Sequence, residues 1–153
     1  MHSFKNHNYV NDPRFKKRMD QSIKIDKSYD IPYVAGYSKN GKTIYIDRHL
    51  TTMDDDTDIT PYLIIHEKTE KALIDIFGLT YQAAHHIAMQ QEKEAVLKAN
   101  INWNKYEEHY NKYIKGCAHE KLQRVPKDLD LTPYKDEHDF KLLKSLVSAE
   151  KSN

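Results

Sequence analysis

Apolar positions in this chain follow two periods, and the change between them divides it. From Leu63 to Phe77 they recur at three and four residues, the spacing of a helix with one buried face. Thr60-Pro61 precedes this run and Gly78 follows it. Thr60 is therefore expected to cap the helix, with Pro61 in its first turn and Gly78 as its stop. Thr80 opens a second helix, Tyr81 to about Ala99, and so short a connection predicts antiparallel packing of the pair. A third helix, Trp103 to about Leu122, carries the stripe Trp103, Tyr106, Tyr110, Tyr113, Ile114 and Cys117. A last helix, about Asp136 to Ala149, carries Phe140, Leu143 and Val147, and residues 125–135 before it read as extended.

Upstream the period shortens to two. Residues 32–37 and 43–50 are β-prone runs on either side of Ser38-Lys39-Asn40-Gly41-Lys42, and Asn-Gly between such runs signals a hairpin. The predicted fold class is α+β: a mainly helical body of about four helices with a small antiparallel hairpin or sheet near residues 33–50. Residues 1–30 are polar, with the basic cluster Arg14-Phe15-Lys16-Lys17-Arg18, and read as an arm or peripheral helix. Residues 31–153 then form a single α+β domain.

Composition narrows the function classes. With 24 basic and 23 acidic side chains the net charge is +1, which gives no global electrostatic case for nucleic acid or an anionic membrane. No run is long and apolar enough to span a bilayer, and the N-terminus lacks the apolar segment of a signal peptide. The single cysteine, Cys117, excludes an internal disulfide framework and a Cys-rich zinc site. A cytoplasmic setting is the expectation, or a virion if the chain is phage-encoded.

The candidate chemistry lies on the first long helix. At about 100° per residue, Leu63, His66, Glu70, Leu73, Ile74 and Phe77 share one side, with Lys68, Lys71 and Asp75 on the other. A carboxylate on an apolar face needs a partner or a metal. His66 and Glu70, one turn apart, can reach the same point. On the second helix His85 is better placed than His86 to meet them, on the same flank as Tyr81 and Glu92. Glu92 is either a fourth ligand or a partner that orients a histidine. On the strand before the helices, Tyr45, Asp47 and His49 alternate onto one face and are further candidates for the cleft. The remaining histidines read as surface residues (His2, His7, His86, His109, His138) or, for His119 beside Glu120, as structural.

Placed on a helix, His66-Glu67-x-x-Glu70 followed by His85 resembles the zincin metallopeptidases, over roughly residues 43–95. That resemblance implies zinc held by His66, Glu70 and His85, with Glu67 as the general base and the Tyr45–His49 strand as the cleft edge. The family has histidine at the second motif position where this chain has Glu70, an HExxE variant. Two histidines and one carboxylate are still a normal catalytic zinc set. The whole chain is also similar to small phage and bacterial proteins without an assigned activity.

Two functions follow. One is a zinc-dependent peptidase or amidase acting on a peptide or protein. The other is a non-catalytic phage structural or interaction protein that docks onto other subunits, with the His/Glu cluster as a structural metal site or a buried polar network. A carboxylate-bridged two-metal bundle would want Glu-x-x-His on its helices, an order neither helix has.

Overall fold

The structure, a computed structural model, describes residues 9–117, 122–136, 143, 144 and 146. Among them the elements run α1 (Pro13–Asp20), β1 (Lys24–Asp26), β2 (Ala35–Tyr37), β3 (Thr43–Ile46), α2 (Thr60–Phe77), α3 (Tyr81–Lys98), α4 (Trp103–Cys117) and α5 (Thr132–Asp136). This is an α+β fold with a helical body, as the periodicities predict.

β2 and β3 form the expected antiparallel hairpin, with Gly36 opposite Tyr45. In its turn Gly41 adopts φ +72°, and a Cβ there would lie 2.5 Å from Arg18 Nη2 of α1. Glycine thus serves both the turn and the close approach of α1. Past Ile46 the expected strand stops early. The Asp47 carboxylate accepts the amides of Ile31 at 2.8 Å and His49 at 3.4 Å, binding loop in place of ladder. β1 adds a third strand, parallel to β3 in the order β1-β3-β2. Its three residues are too few to show a period, and its pairing comes from backbone bonds across distant sequence.

α2 begins one residue earlier than expected and is capped differently. Its first residue is Thr60, the cap position falls to Ile59 without a side-chain cap bond, and the Asp58 carboxylate takes the Thr60 amide at 2.9 Å. Thr60 Oγ1 instead accepts from Lys27 Nζ at 3.1 Å. The C-terminus matches expectation: Gly78 takes φ 64°, and its amide bonds Ile74 O at 3.0 Å. Thr80 caps α3, accepting from Ala83 N at 3.2 Å. Ala84 and Ala88 are fully buried on α3, which packs along α2. Small side chains there allow close approach of the helix axes.

The core has three clusters. Tyr37, Ile44 and Ile46 of the sheet pack with Ile59 and Leu63 at the start of α2 and with Val96 and Tyr106. Phe15 of α1 packs with Ala72, Leu73, Ala84 and Ile87. Tyr45, on the other sheet face, packs with Ile31, Val125, Leu129, Tyr134 and Leu146. The basic cluster therefore lies on a helix anchored by Phe15, with Arg18 bonded to Asp75 of α2 at 2.7 Å.

Two readings of the C-terminal third change. The segment read as extended contains α5, whose Thr132 amide is taken by Asp130 Oδ1 at 3.0 Å. The helix expected from Asp136 to Ala149 falls largely outside the described residues, although Leu143, Lys144 and Leu146 are helical. Residues of the third helix beyond Cys117 also fall outside them. Among the described residues no helix is long and apolar enough to cross a membrane.

Candidate metal centre

The helical hairpin sets the site. His66 and Glu70 lie one turn apart on α2, and His85 and Glu92 lie two turns apart on α3. Packing the two helices brings all four together. His66 Nε2 is 3.1 Å from Glu70 Oε2, and His85 Nδ1 is 3.1 Å from the same oxygen. Glu92 Oε1 is 2.8 Å from His66 Nδ1, the opposite side of the ring. Two tyrosines close the network: Tyr37 of β2 donates to Glu70 Oε1 at 2.8 Å, and Tyr106 of α4 donates to Glu92 Oε2 at 2.5 Å.

One ligand atom each from His66, Glu70 and His85 lies within 4.8 Å of the others. Around a tetrahedral zinc with bonds of about 2.0–2.1 Å, ligand atoms are separated by roughly 3.3 Å. The two 3.1 Å separations are near that value. Glu92 stands behind His66 rather than beside these atoms, so its geometry is that of the partner that orients a ligating histidine. His66, Glu70 and Glu92 are buried, whereas the His85 side chain is 41% exposed, which makes it the open side of the cluster.

Glu70 and Glu67 are in opposite electrostatic states. Burial alone would raise Glu70, but the bonds from His66, His85 and Tyr37 outweigh it and hold the carboxyl down to about 2. Glu67 is raised to about 8, first by burial and then by the charge of Glu70, against a smaller opposing pull from His66. Among the described residues no hydrogen bond reaches Glu67; its nearest charged partner is His66 Nε2, at 3.8 Å. For His66, burial opposes the proton, yet the bonds to Glu70 and Glu92 and the charge of Glu67 raise its affinity well above the ordinary value. With no ion bound, the ring is an imidazolium between carboxylates. Tyr37, Tyr106, Tyr110 and Tyr134 are all raised by burial and by these carboxylates, so each stays a protonated hydroxyl.

Of the residues singled out in the sequence, His66, Glu67, Glu70, His85 and Glu92 come together. Tyr45, Asp47 and His49 are engaged elsewhere: Tyr45 donates to Asp128 at 2.5 Å, Asp47 accepts from Ile31 and Tyr113, and His49 lies 3.8 Å from Asp30. His86 is exposed and bonds Gln90, and His109 contacts the Thr51 carbonyl. His2, His7, His119 and His138 lie outside the described residues. Lys71, expected on a solvated face, is buried, with its ammonium 3.1 Å from Asp130 and 5.4 Å from the Tyr37 ring centre.

Sequence reasoning missed Tyr37 and Tyr106. Tyr37 was part of a β run and Tyr106 part of an apolar stripe. Neither pattern reports where a phenol hydroxyl ends. Comparison of the chain with family models, curated proteins and solved structures finds no match.

Proposed function

We propose that this chain is a zinc-dependent hydrolase of the zincin type, a peptidase or amidase. The observation that carries this reading is the convergence of His66 Nε2, Glu70 Oε2 and His85 Nδ1, with Glu92 bonded behind His66. These three residues would hold the ion, and Glu92 would fix the His66 ring and its tautomer. When bound, zinc supplies Lewis-acid polarisation of a carbonyl and acidification of water. Glu67 is the proton acceptor. It lies against the cluster and is committed to no other bond, whereas both oxygens of Glu70 and of Glu92 are occupied. A nearby dication works against the burial that raises Glu67 and returns it to a carboxylate able to take a proton. Tyr81, whose hydroxyl is 3.3 Å from His85 Nδ1 on the exposed side, is the candidate oxyanion donor.

A second reading is favoured by one observation: His66, Glu70 and Glu92 satisfy one another without an ion. On that reading the cluster is a buried polar network in a non-catalytic interaction or assembly protein, including the phage structural kind. Hydrolysis of a mixed peptide pool by zinc-loaded protein separates the two. The hydrolase reading expects cleavage in the wild type and a loss of at least about a hundredfold in Glu67→Gln at unchanged zinc content. A zinc-loaded wild type that cleaves nothing, or a Glu67→Gln variant of full activity, contradicts it.

A further inference from the structure

α2 carries a second group of charges besides the His/Glu cluster. Lys68 and Lys71 line a cavity of about 290 Å³ with Arg18 of α1 and Lys42 of the hairpin turn. Asn40 and Gly41 complete the turn side, and no acidic residue is among the lining. In a chain of net charge +1, four cations around one small cavity are a strong local concentration.

Three acids lie just outside and account for part of this charge, Asp75 and Asp130 by direct ion pairs and Asp20 by its charge on Lys68. Asp75 bonds Arg18 Nη2 at 2.7 Å and Lys71 Nζ at 3.3 Å, and Asp130 bonds Lys71 Nζ at 3.1 Å. Arg18 uses a single terminal nitrogen for Asp75, so the rest of its fork remains for a ligand. Lys68 is tethered by backbone carbonyls, to Met19 at 2.6 Å and Gln21 at 3.1 Å, neither of which neutralises it. Burial lowers its proton affinity, the charge of Asp20 opposes this, and Arg18 adds a smaller lowering. Lys42 is exposed and has no side-chain partner among the described residues. A solvated basic face would spread its charges apart. Here side chains from three separate elements line one cavity, with the Lys71 ammonium held by Asp75 and Asp130, and Gly41, lacking a Cβ, lets the Arg18 guanidinium lie against the turn.

We propose that this pocket binds a compact phosphate dianion, either free phosphate or the phosphate end of a small phosphomonoester. The Arg18 fork and the point charges of Lys42 and Lys68 suit tetrahedral oxygens. Drug-sized ligands occupy sites of roughly 300–1,000 Å³, so a cavity at the lower limit fits the phosphate and a short stem.

The test is titration of the full chain with inorganic phosphate and, separately, with glycerol phosphate, followed by amide NMR shifts at Asn40, Gly41 and Lys42. Saturable shifts are expected for at least one of them, and tighter binding of the ester would identify a phosphorylated metabolite as the source. Lys42→Gln, which removes a cation that holds nothing else in place, should weaken binding roughly tenfold or more. Lys127→Gln, on a different cavity, should leave it unchanged. Shifts reproduced by chloride at equal ionic strength, equal affinity in Lys42→Gln, or oligonucleotide binding that phosphate does not compete would overturn the proposal.

Discussion

At the scale of single residues, Glu67 is held where its ionisation costs stability. Its carboxyl is pushed from the ordinary 4.5 to about 8 by burial and the charges of Glu70 and Glu92. A carboxyl raised on folding contributes stability that is present below its unfolded value and lost as pH rises through the folded one. Glu67→Gln should therefore stabilise the metal-free protein at pH 7, on the order of a few kcal/mol, and flatten its loss of stability between pH 4.5 and 8. Thermal melts across that range check both; a destabilised Glu67→Gln would contradict the assigned state. Glu70 has the opposite sign. Held down to about 2, it contributes stability that is present above 4.5 and lost as pH falls toward 2.

His66 gives the matching prediction for metal binding. The ring that carries a proton between Glu70 and Glu92 must surrender it to bind an ion. Zinc uptake should release protons, and affinity should fall as pH falls. Calorimetric titrations in buffers of different ionisation heat measure this release, and none at neutral pH would mean that His66 is not a ligand. Behind it, Glu92→Gln should weaken zinc about 10–100-fold without abolishing the site, because it loosens the ring and removes no ligand atom.

At the scale of elements, the site exists because two helices meet closely. Gly78 and Thr80 turn the chain between α2 and α3, and Ala84 and Ala88 let the helices approach until Glu70 reaches His85. Ala84→Leu should cost about 1–3 kcal/mol by overpacking. It should also lower zinc affinity with every ligand still present, as a melt and a zinc titration would show; unchanged affinity would mean that helix spacing does not set the site. This element pair was legible in the sequence because period, proline, glycine and cap all pointed to it. β1 was not, since three residues with no alternation carry no signal and their pairing with β3 comes from chain distant in sequence. The cap of α2 was misassigned to Thr60 because the Ile59 carbonyl accepts the Tyr62 and Leu63 amides while Lys27 takes the Thr60 hydroxyl.

At the scale of the molecule, the helix pair packs against both the small sheet and α1, which meet where Arg18 lies against the hairpin turn. The sheet delivers Tyr37 to Glu70, α4 delivers Tyr106 to Glu92, and α1 buries Phe15 against both helices. Phe15→Ala should cost about 3–5 kcal/mol in a denaturant titration, a large effect for a residue within a basic, polar segment. The ligand candidates were visible because helical spacing fixes which side chains share a face. The tyrosines that orient them were hidden, because a hydroxyl at the end of a long side chain belongs to tertiary packing. Tyr45, Asp47 and His49, expected on one alternating strand that in fact ends at Ile46, meet Asp128, Ile31 and Asp30 instead.

On the proposed reading His66, Glu70 and His85 hold a metal ion, and elemental analysis of purified protein after zinc reconstitution reads this out. One zinc per chain is predicted for the wild type and for Glu67→Gln, with loss in Glu70→Ala. A wild type that retains no metal, or a Glu70→Ala variant that retains it in full, would contradict the claim and leave the cluster a buried network of charges.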